Sequence, residues 1–231
     1  MHKVYYPFPI SDILELSEEE SKHLNRVLRI SEGDEVLVMN GVGVVARAKV
    51  IESHPKKTKL QIESRKEYPS RKDISLHIAM APTKNIDRFE NFLEKSTEIG
   101  IDHITPLLCE RSERKVIKPE RLQKVLVSAI KQSGQPFLPI LREMTPFKEF
   151  VKNHPEGCIA FCENPEQSMP LLKAVKNHSD ITILIGPEGD FSPEEVSFAT
   201  MHGYKQITLG DSILRTETAG IFVCALINGI E

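Results

Sequence analysis

No apolar run among the 231 residues approaches the roughly 20 needed for a membrane-spanning helix, which argues against a helical membrane protein. The opening stretch, MHKVYYPFPISD, lacks the apolar core of a secretory signal, so a cytoplasmic address is the expectation. Cysteine is scarce. Cys109, Cys158, Cys162 and Cys224 are the whole set, and no C-x-x-C pair suggests zinc. Cys158 and Cys162 end the apolar run CIAFC, where they read as small buried hydrophobes, and free structural thiols are expected. His77 and His103 sit in apolar strand runs, apart from any cysteine or carboxylate cluster. They read as structural, and no metal site is expected.

Two nucleotide signatures are also missing. The chain has neither the G-x-G-x-x-G of a dinucleotide fold nor the G-x-x-x-x-G-K-[ST] of a P-loop. Gly41-Val42-Gly43 reads as a hairpin turn, not as the start of a helix.

Charge is present but unevenly spread. The net charge is −3, yet residues 1–72 carry 13 Lys+Arg against 11 Asp+Glu, while the remainder is net −5. Within that acidic remainder, residues 111–142 hold eight basic side chains and two acidic ones. Such a strip, with Arg111 and Arg114 at its start, is a candidate phosphate-contacting surface. A solvated helix face is the commoner explanation of such a run taken alone.

The first 70 residues read as a small β-rich unit. SEEESKHLNRVLR opens with a capping box, Ser17 to Glu20, and a helix there places Leu24, Val27 and Leu28 on one face. Two apolar runs around Asn40-Gly41 predict a hairpin, and TKLQIESRKE adds another alternating strand. Tyr5, Tyr6 and Phe8 are of a type that stacks on bases, but a near-terminal strand is expected to pack them into the core. The polar stretch Glu67 to Asp73 reads as a linker.

Beyond it, strand and helix alternate. ISLHIAM, HITPLL, CIAFC, ITILI and KQITLG read as strands. Helices are predicted from DRFENFLEKSTEIG, PERLQKVLVSAIKQSG, Met169 to Val175, SPEEVSFATMHG and TETAGIFVCALING. This alternation predicts a mostly parallel α/β sheet over residues 74–231. Open sheets of that kind bind ligands beyond the carboxyl ends of their strands, here PLLCER, CEN, IGPEGD and LGDSILRTETA.

The turn Gly186-Pro187-Glu188-Gly189-Asp190 adds negative charge where pyrophosphate would sit. It suits a neutral base and sugar, or a cation. S-adenosylmethionine, an adenosine with a sulfonium and no phosphate, meets those demands. In the alternative reading the glycines merely permit a turn, and Glu188 and Asp190 cap the helix that follows. In LGDSILRTETA, Ile213 and Leu214 put large apolar side chains into a loop, where a flat adenine would cover them. Arg215 and Glu217 stand near the start of the last helix, with Thr216 as its cap. The arginine suits an RNA phosphate or a developing anion, and a structural Arg–Glu pair is the alternative.

The blocks HLNRVLRI, GD-VLV-NG, DRFE-FLEK-TEIG, ERS, QSGQ, LIGPEG-FS-EEV and LG--ILRTETA stand in order along nearly the whole chain. With them the sequence resembles the RsmE-type 16S ribosomal RNA (uracil-N3)-methyltransferases of the SPOUT superfamily. The resemblance implies a PUA-like RNA-binding barrel over residues 1–70 and a SPOUT methyltransferase domain, with a trefoil knot, over residues 74–231. It implies S-adenosylmethionine as cofactor, a homodimer, and 16S ribosomal RNA or the small-subunit particle as partner.

Carried onto this chain, the cofactor positions are Leu108, Cys162, Glu163, Gly186, Pro187, Glu188, Gly189, Leu209, Gly210, Ile213, Leu214 and Thr216. His23, Arg26 and Arg29 join Arg111 and Arg114 as expected RNA contacts, with Arg26 and Arg29 on one helix face. Arg215 is expected to stabilise the uracil oxygens or a flanking phosphate, and Glu217 to orient it or act as base. Two positions depart from the family pattern. Asp190 stands where glycine is usual, so it must tolerate that glycine's backbone geometry. Gln135 stands where arginine is common, which weakens one expected RNA contact. A methyltransferase with another product, a 2′-O-ribose or a different base, and a non-catalytic RNA-binding protein are the competing functions.

Overall fold

A computed structural model of the chain describes residues 1–69, 74–161, 168–176 and 178–229. Its packing divides into two units: Met1–Arg71 with Val127–Leu138, and Lys72–Leu126 with Pro139–Glu231.

The first unit is built on a five-stranded sheet. Its strands are β1 (His2–Tyr5), β2 (Ile13–Glu15), β3 (Glu35–Met39), β4 (Val44–Glu52) and β5 (Lys59–Glu67), in the order β1-β3-β4-β5-β2. Only the β1–β3 pair is parallel. Alternation along β4 sends Ala46, Ala48 and Val50 into a core shared with Val4, Leu14, Leu24, Val36, Val38 and Leu60. The expected hairpin joins β3 to β4. There the Asn40 side-chain oxygen accepts the N–H groups of both Val42 and Val44, at 3.0 Å each. The hairpin tip also pairs with a segment far along the chain, Val42 bridging Phe137 while Leu138 N–H donates to the Gly41 carbonyl at 2.8 Å.

The helix after Ser17 starts as predicted, with the Ser17 hydroxyl accepting the Glu20 N–H. It does not continue as one. Helix α1 (Glu18–Lys22) gives way to a π turn over His23–Val27, where Leu28 N–H donates to the His23 carbonyl five residues back. The wider turn rotates the side chains out of α-helical phase. Leu24 stays buried, but Val27 is 65% exposed instead of sharing its face. Arg29 has left the helix altogether, at φ 52°, so Arg26 and Arg29 do not share a helical face. The expected burial of all three N-terminal aromatics also fails at Phe8, which is exposed and meets Tyr6 edge-on, with ring centroids 5.4 Å apart.

In the second unit every strand pairing is parallel among the described residues. The five predicted strands are β6 (Ser75–Met80), β7 (His103–Leu108), β10 (Gly157–Ala160), β12 (Asp180–Ile185) and β13 (Tyr204–Thr208). They lie in the order β13-β10-β12-β6-β7. Three two-residue strands, β8 (Ile140–Leu141), β9 (Thr145–Pro146) and β11 (Met169–Pro170), extend the edges. The helices are α2 (Ile86–Ile99), α3 (Pro119–Ser133), α4 (Phe147–Asn153), α5 (Leu171–Ala174), α6 (Pro193–Met201) and α7 (Thr216–Asn228). Of these, α3 starts in this unit, and its last residues belong with the first.

One face of the sheet is covered by α4 and α6, through a core of Phe147, Phe150, Phe191, Val196 and Ile159. The helices α2 and α7 pack on each other so closely that a Cβ at Gly220 would lie 2.6 Å from the Phe92 ring. Glycine is therefore the residue that fits this contact. No helix among the described residues is long and apolar enough to cross a membrane.

Candidate active site

The chain runs from β6 to β7 in one direction across the sheet and then returns to place β12 on the other side of β6. The order therefore reverses between β6 and β12. In an open parallel sheet the crevice at such a switch, beyond the carboxyl ends, is where ligands bind. Three loops meet there: residues 81–85 after β6, 109–118 after β7 and 186–192 after β12.

Hydrogen bonds stitch these loops together. The Ala81 N–H donates to the Ile185 carbonyl at 3.0 Å, and the Lys84 N–H donates to the Glu188 carboxylate at 2.8 Å. Arg114 donates to the carbonyls of Thr83 and Lys84, at 3.0 and 2.5 Å. Arg111 donates to the Gly189 carbonyl at 2.8 Å. Both arginines, expected as RNA contacts, thus give guanidinium N–H groups to loop carbonyls.

Behind the turn lies a buried carboxylate. The capping box of α6 forms as the sequence predicts: the Ser192 hydroxyl accepts the Glu195 N–H, and Glu195 accepts the Ser192 N–H. The second oxygen of Glu195 accepts the Glu110 N–H at 2.9 Å, tying the exit of β7 to the start of α6. The Ser192 hydroxyl also donates to Glu110 at 2.8 Å. Hydrogen bonds to a buried ionised group are among the stronger ones, about 1.5–3 kcal/mol each, so this network fixes the turn.

The structure overturns the capping reading of the acidic turn. Glu188 and Asp190 do not cap α6; Ser192 does. Glu188 is held by the Lys84 backbone, and Asp190 accepts the N–H of its own neighbour Phe191 at 2.8 Å. Asp190 also adopts φ 59°, the left-handed conformation that glycine tolerates. Replacing Asp190 with Val, which combines that backbone with β-branching, is expected to cost about 1–3 kcal/mol. Asp190→Gly is expected to fall within about 1 kcal/mol of the parent. Equilibrium unfolding of the two variants checks the order, and equal stabilities would refute it.

The loop after β13 carries the remaining candidates. Leu209 and Leu214 are half-buried, Gly210 is exposed, and Ile213 stands 86% exposed. Leu108, at the end of β7, is half-buried, as are Asp190 and Glu217; Gly186 and Pro187 are buried, and Gly189 is exposed. Cys162 and Glu163 lie outside the described residues.

Thr216 is buried as the first residue of α7, but it is not the cap. Arg215 occupies that position with no side-chain cap bond, and its carbonyl accepts the Ala219 N–H at 2.8 Å. The Arg215 side chain is exposed, and no partner holds it among the described residues. The ion pair of Glu217 is with Arg88, at 3.9 Å, and not with Arg215.

Sequence reasoning missed Thr83, Lys84 and Arg88. The first two follow a strand whose carboxyl end obeys the same rule as the others, and Arg88 stands in the DRFE block. His23, Arg26 and Arg29 are exposed in the first unit.

Two buried thiols are unsuited to nucleophilic work. Burial pushes Cys109 well above the usual thiol range, and Cys158 up to about 11. Cys158 lines a cleft of about 300 Å³ at the opposite, amino-terminal ends of β10 and β12, away from the loops. Among the described residues no group of three or more His, Cys, Asp or Glu side chains is placed to hold a metal ion.

A parallel sheet flanked by helices, with its loops gathered at a switch point, defines the class of α/β proteins that bind ligands beyond the carboxyl ends of their strands, and comparison with known families narrows that class. Residues 70–228 match the model of an RNA methyltransferase domain and residues 16–63 that of an RNA methyltransferase PUA domain; the chain belongs to this RNA methyltransferase family. It is 31% identical over 228 residues to Ribosomal RNA small subunit methyltransferase E of Synechocystis sp., covering 93% of this chain and 72% of that one. Its fold matches a probable rRNA-methyltransferase from Porphyromonas gingivalis with a TM-score of 0.89, at 35% identity, over 98% of this chain and 97% of that one. It also matches Ribosomal RNA small subunit methyltransferase E from Neisseria gonorrhoeae, solved bound to S-adenosyl methionine. There the TM-score is 0.90 and the identity 25%, over 98% of this chain and 96% of that one.

Proposed function

We propose that this chain uses S-adenosylmethionine to methylate N3 of one uridine in 16S ribosomal RNA, acting as a knotted homodimer in the cytoplasm. In this reading residues 1–70 form the RNA-binding part, with His23, Arg26 and Arg29 among its contacts, and residues 74–231 form the methyltransferase part. Membership of the RNA methyltransferase family and the near full-length likeness to small-subunit methyltransferases support the reaction class.

The observation that carries the cofactor is the loop after β13. It holds an 86% exposed isoleucine, and neither it nor the Gly186–Gly189 turn carries the lysine-and-glycine pattern of a phosphate cradle. An adenine ring over Ile213 gives that side chain the cover it lacks, and turn amides and carbonyls suit a base edge and ribose hydroxyls. Leu108, Gly186 to Gly189, and Leu209 to Thr216 would hold the cofactor, with Cys162 and Glu163 completing the set. Bound there, S-adenosylmethionine supplies a methyl group already activated by its sulfonium.

The protein's tasks are then to present N3, to stabilise the uridine anion, and to accept a proton. N3 lies on the pairing edge, so the base must be unpaired or turned out of its helix. Arg215, at the start of α7, faces the uracil oxygens or a flanking phosphate, and Glu217 takes the proton.

Calorimetry with S-adenosylmethionine, followed by methylation of small-subunit RNA and mass mapping of its nucleosides, tests the reading. Binding and a single 3-methyluridine are expected. A 2′-O-methyl or other base product would move the chain to another methyltransferase specificity. Absence of cofactor binding by the folded protein would make it an RNA-binding protein without this chemistry.

A further inference from the structure

Glu217 is a largely buried carboxylate with one oxygen that no donor reaches. Its side chain is only 12% exposed, one oxygen lies 3.9 Å from Arg88 Nε, and the other oxygen is buried with no hydrogen-bond partner. A buried carboxylate oxygen without a donor is costly to maintain. The two residues belong to the first turns of α7 and α2. The loop entering α2 is the one whose Lys84 N–H holds Glu188, and the loop entering α7 carries Ile213 and Arg215. First helical turns favour an anion, so Glu217 sits where both helix starts and Arg88 suit a carboxylate, while Oε2 is left without a donor.

We propose that Arg88 is a positioning residue: it holds the Glu217 carboxylate so that the buried oxygen that lacks a donor, Oε2, is met by an N–H of the bound base. The proposal rests on the methyltransferase reading above. In that reaction the N3–H bond breaks with its proton passing to Glu217 Oε2. The N3 electron pair forms the bond to the methyl carbon, and the sulfur–methyl bond breaks with its pair left on sulfur. The proton then leaves Glu217 for water. Arg88 touches no reacting atom. Its effect passes through the carboxylate.

A double-mutant cycle separates this role from a merely structural one. Single-turnover methyl transfer is measured at saturating RNA and S-adenosylmethionine for the wild type, Arg88→Met, Glu217→Gln and the double variant. Arg88→Met is expected to slow transfer by about 10–30-fold, with cofactor affinity by calorimetry unchanged. Arg88→Lys, which keeps the cation, is expected to recover to within about threefold of wild type. In the Glu217→Gln background the Arg88 substitution is expected to cost nothing further.

Equal slowing by Arg88→Met in both backgrounds would overturn the proposal, as would a wild-type rate in the single variant. If Arg88→Met fails to fold, Arg88→Gln runs the same cycle. A wild-type protein that binds cofactor but methylates no RNA would refute the methyltransferase reading itself. Wild-type methylation with an additive Arg88 effect would refute only the positioning role.

Discussion

Arg215→Ala is expected to lower single-turnover methyl transfer at saturating RNA and cofactor by about 10²–10³-fold, the scale of losing one donor aimed at developing charge. The argument begins with the nucleophile. Uridine N3 carries a weakly acidic proton, and once that proton leaves, the negative charge spreads onto the two carbonyl oxygens beside it. A guanidinium offers several N–H donors in a planar fork, which suits adjacent carbonyls better than a point charge does. The backbone of Arg215 is fixed, because its carbonyl accepts the Ala219 N–H and begins α7. Its side chain is exposed and held by no partner among the described residues, so it is available to a ligand. Arg111 and Arg114 differ in this respect, since they already serve loop carbonyls. Arg215→Lys is expected to fall between wild type and alanine, with charge kept and the fork lost. Cofactor affinity should change by less than about threefold, because the lost contact is to the RNA. Full single-turnover activity in Arg215→Ala would remove the residue from the chemistry.

What the sequence reveals and what it conceals divides by range. The five central strands, the Asn40 hairpin and the Ser192/Glu195 capping box are written in residues within a few positions of one another, and all are present in the fold. The two-residue strands β8, β9 and β11 are too short to show any period. The π turn after Lys22 escapes notice for a different reason: HLNRV has helical composition, and only the lengthened hydrogen bond to His23 betrays the wider turn. In the site, sequence located the loops but not their partners. Glu188 looks like a free acid until Lys84, 104 residues away, supplies its N–H. Glu217 looks paired to its neighbour Arg215 until α2 brings Arg88 alongside. Asp190 is the intermediate case. Its place at a usual glycine position was legible as a demand for unusual backbone, and φ 59° is that demand met.

The second large effect concerns stability, and its sign follows from His77. This side chain is buried on β6 with its Nε2 2.8 Å from the Thr105 hydroxyl. It lies among like-charged or chargeable neighbours, His103 and His154 at ring distances of 5.6 and 5.4 Å, and it meets the Phe150 ring edge-on. Burial first, then the charges of His103, His154 and Arg142, push its pKa from 6.5 down to about 3. The folded protein therefore keeps His77 neutral where the unfolded chain would protonate it. Above about pH 6.5 both states are neutral and the histidine costs nothing; as pH falls from there toward 3, the unfolded state gains a proton that the folded state refuses, and stability drops. At pH 4.5 the loss relative to pH 7.5 is about 2–3 kcal/mol from this residue, at roughly 1.4 kcal/mol per pH unit. His77→Gln keeps a polar partner for Thr105 and removes the titration. It is expected to be less stable than wild type at pH 7.5 by about 1 kcal/mol, from imperfect packing. At pH 4.5 the order should reverse. Chemical denaturation of the pair at both values reads only the difference between them, so carboxylates titrating in the same window cancel. Parallel stability curves without a crossing would show that His77 takes up its proton in the folded state as readily as in the unfolded one.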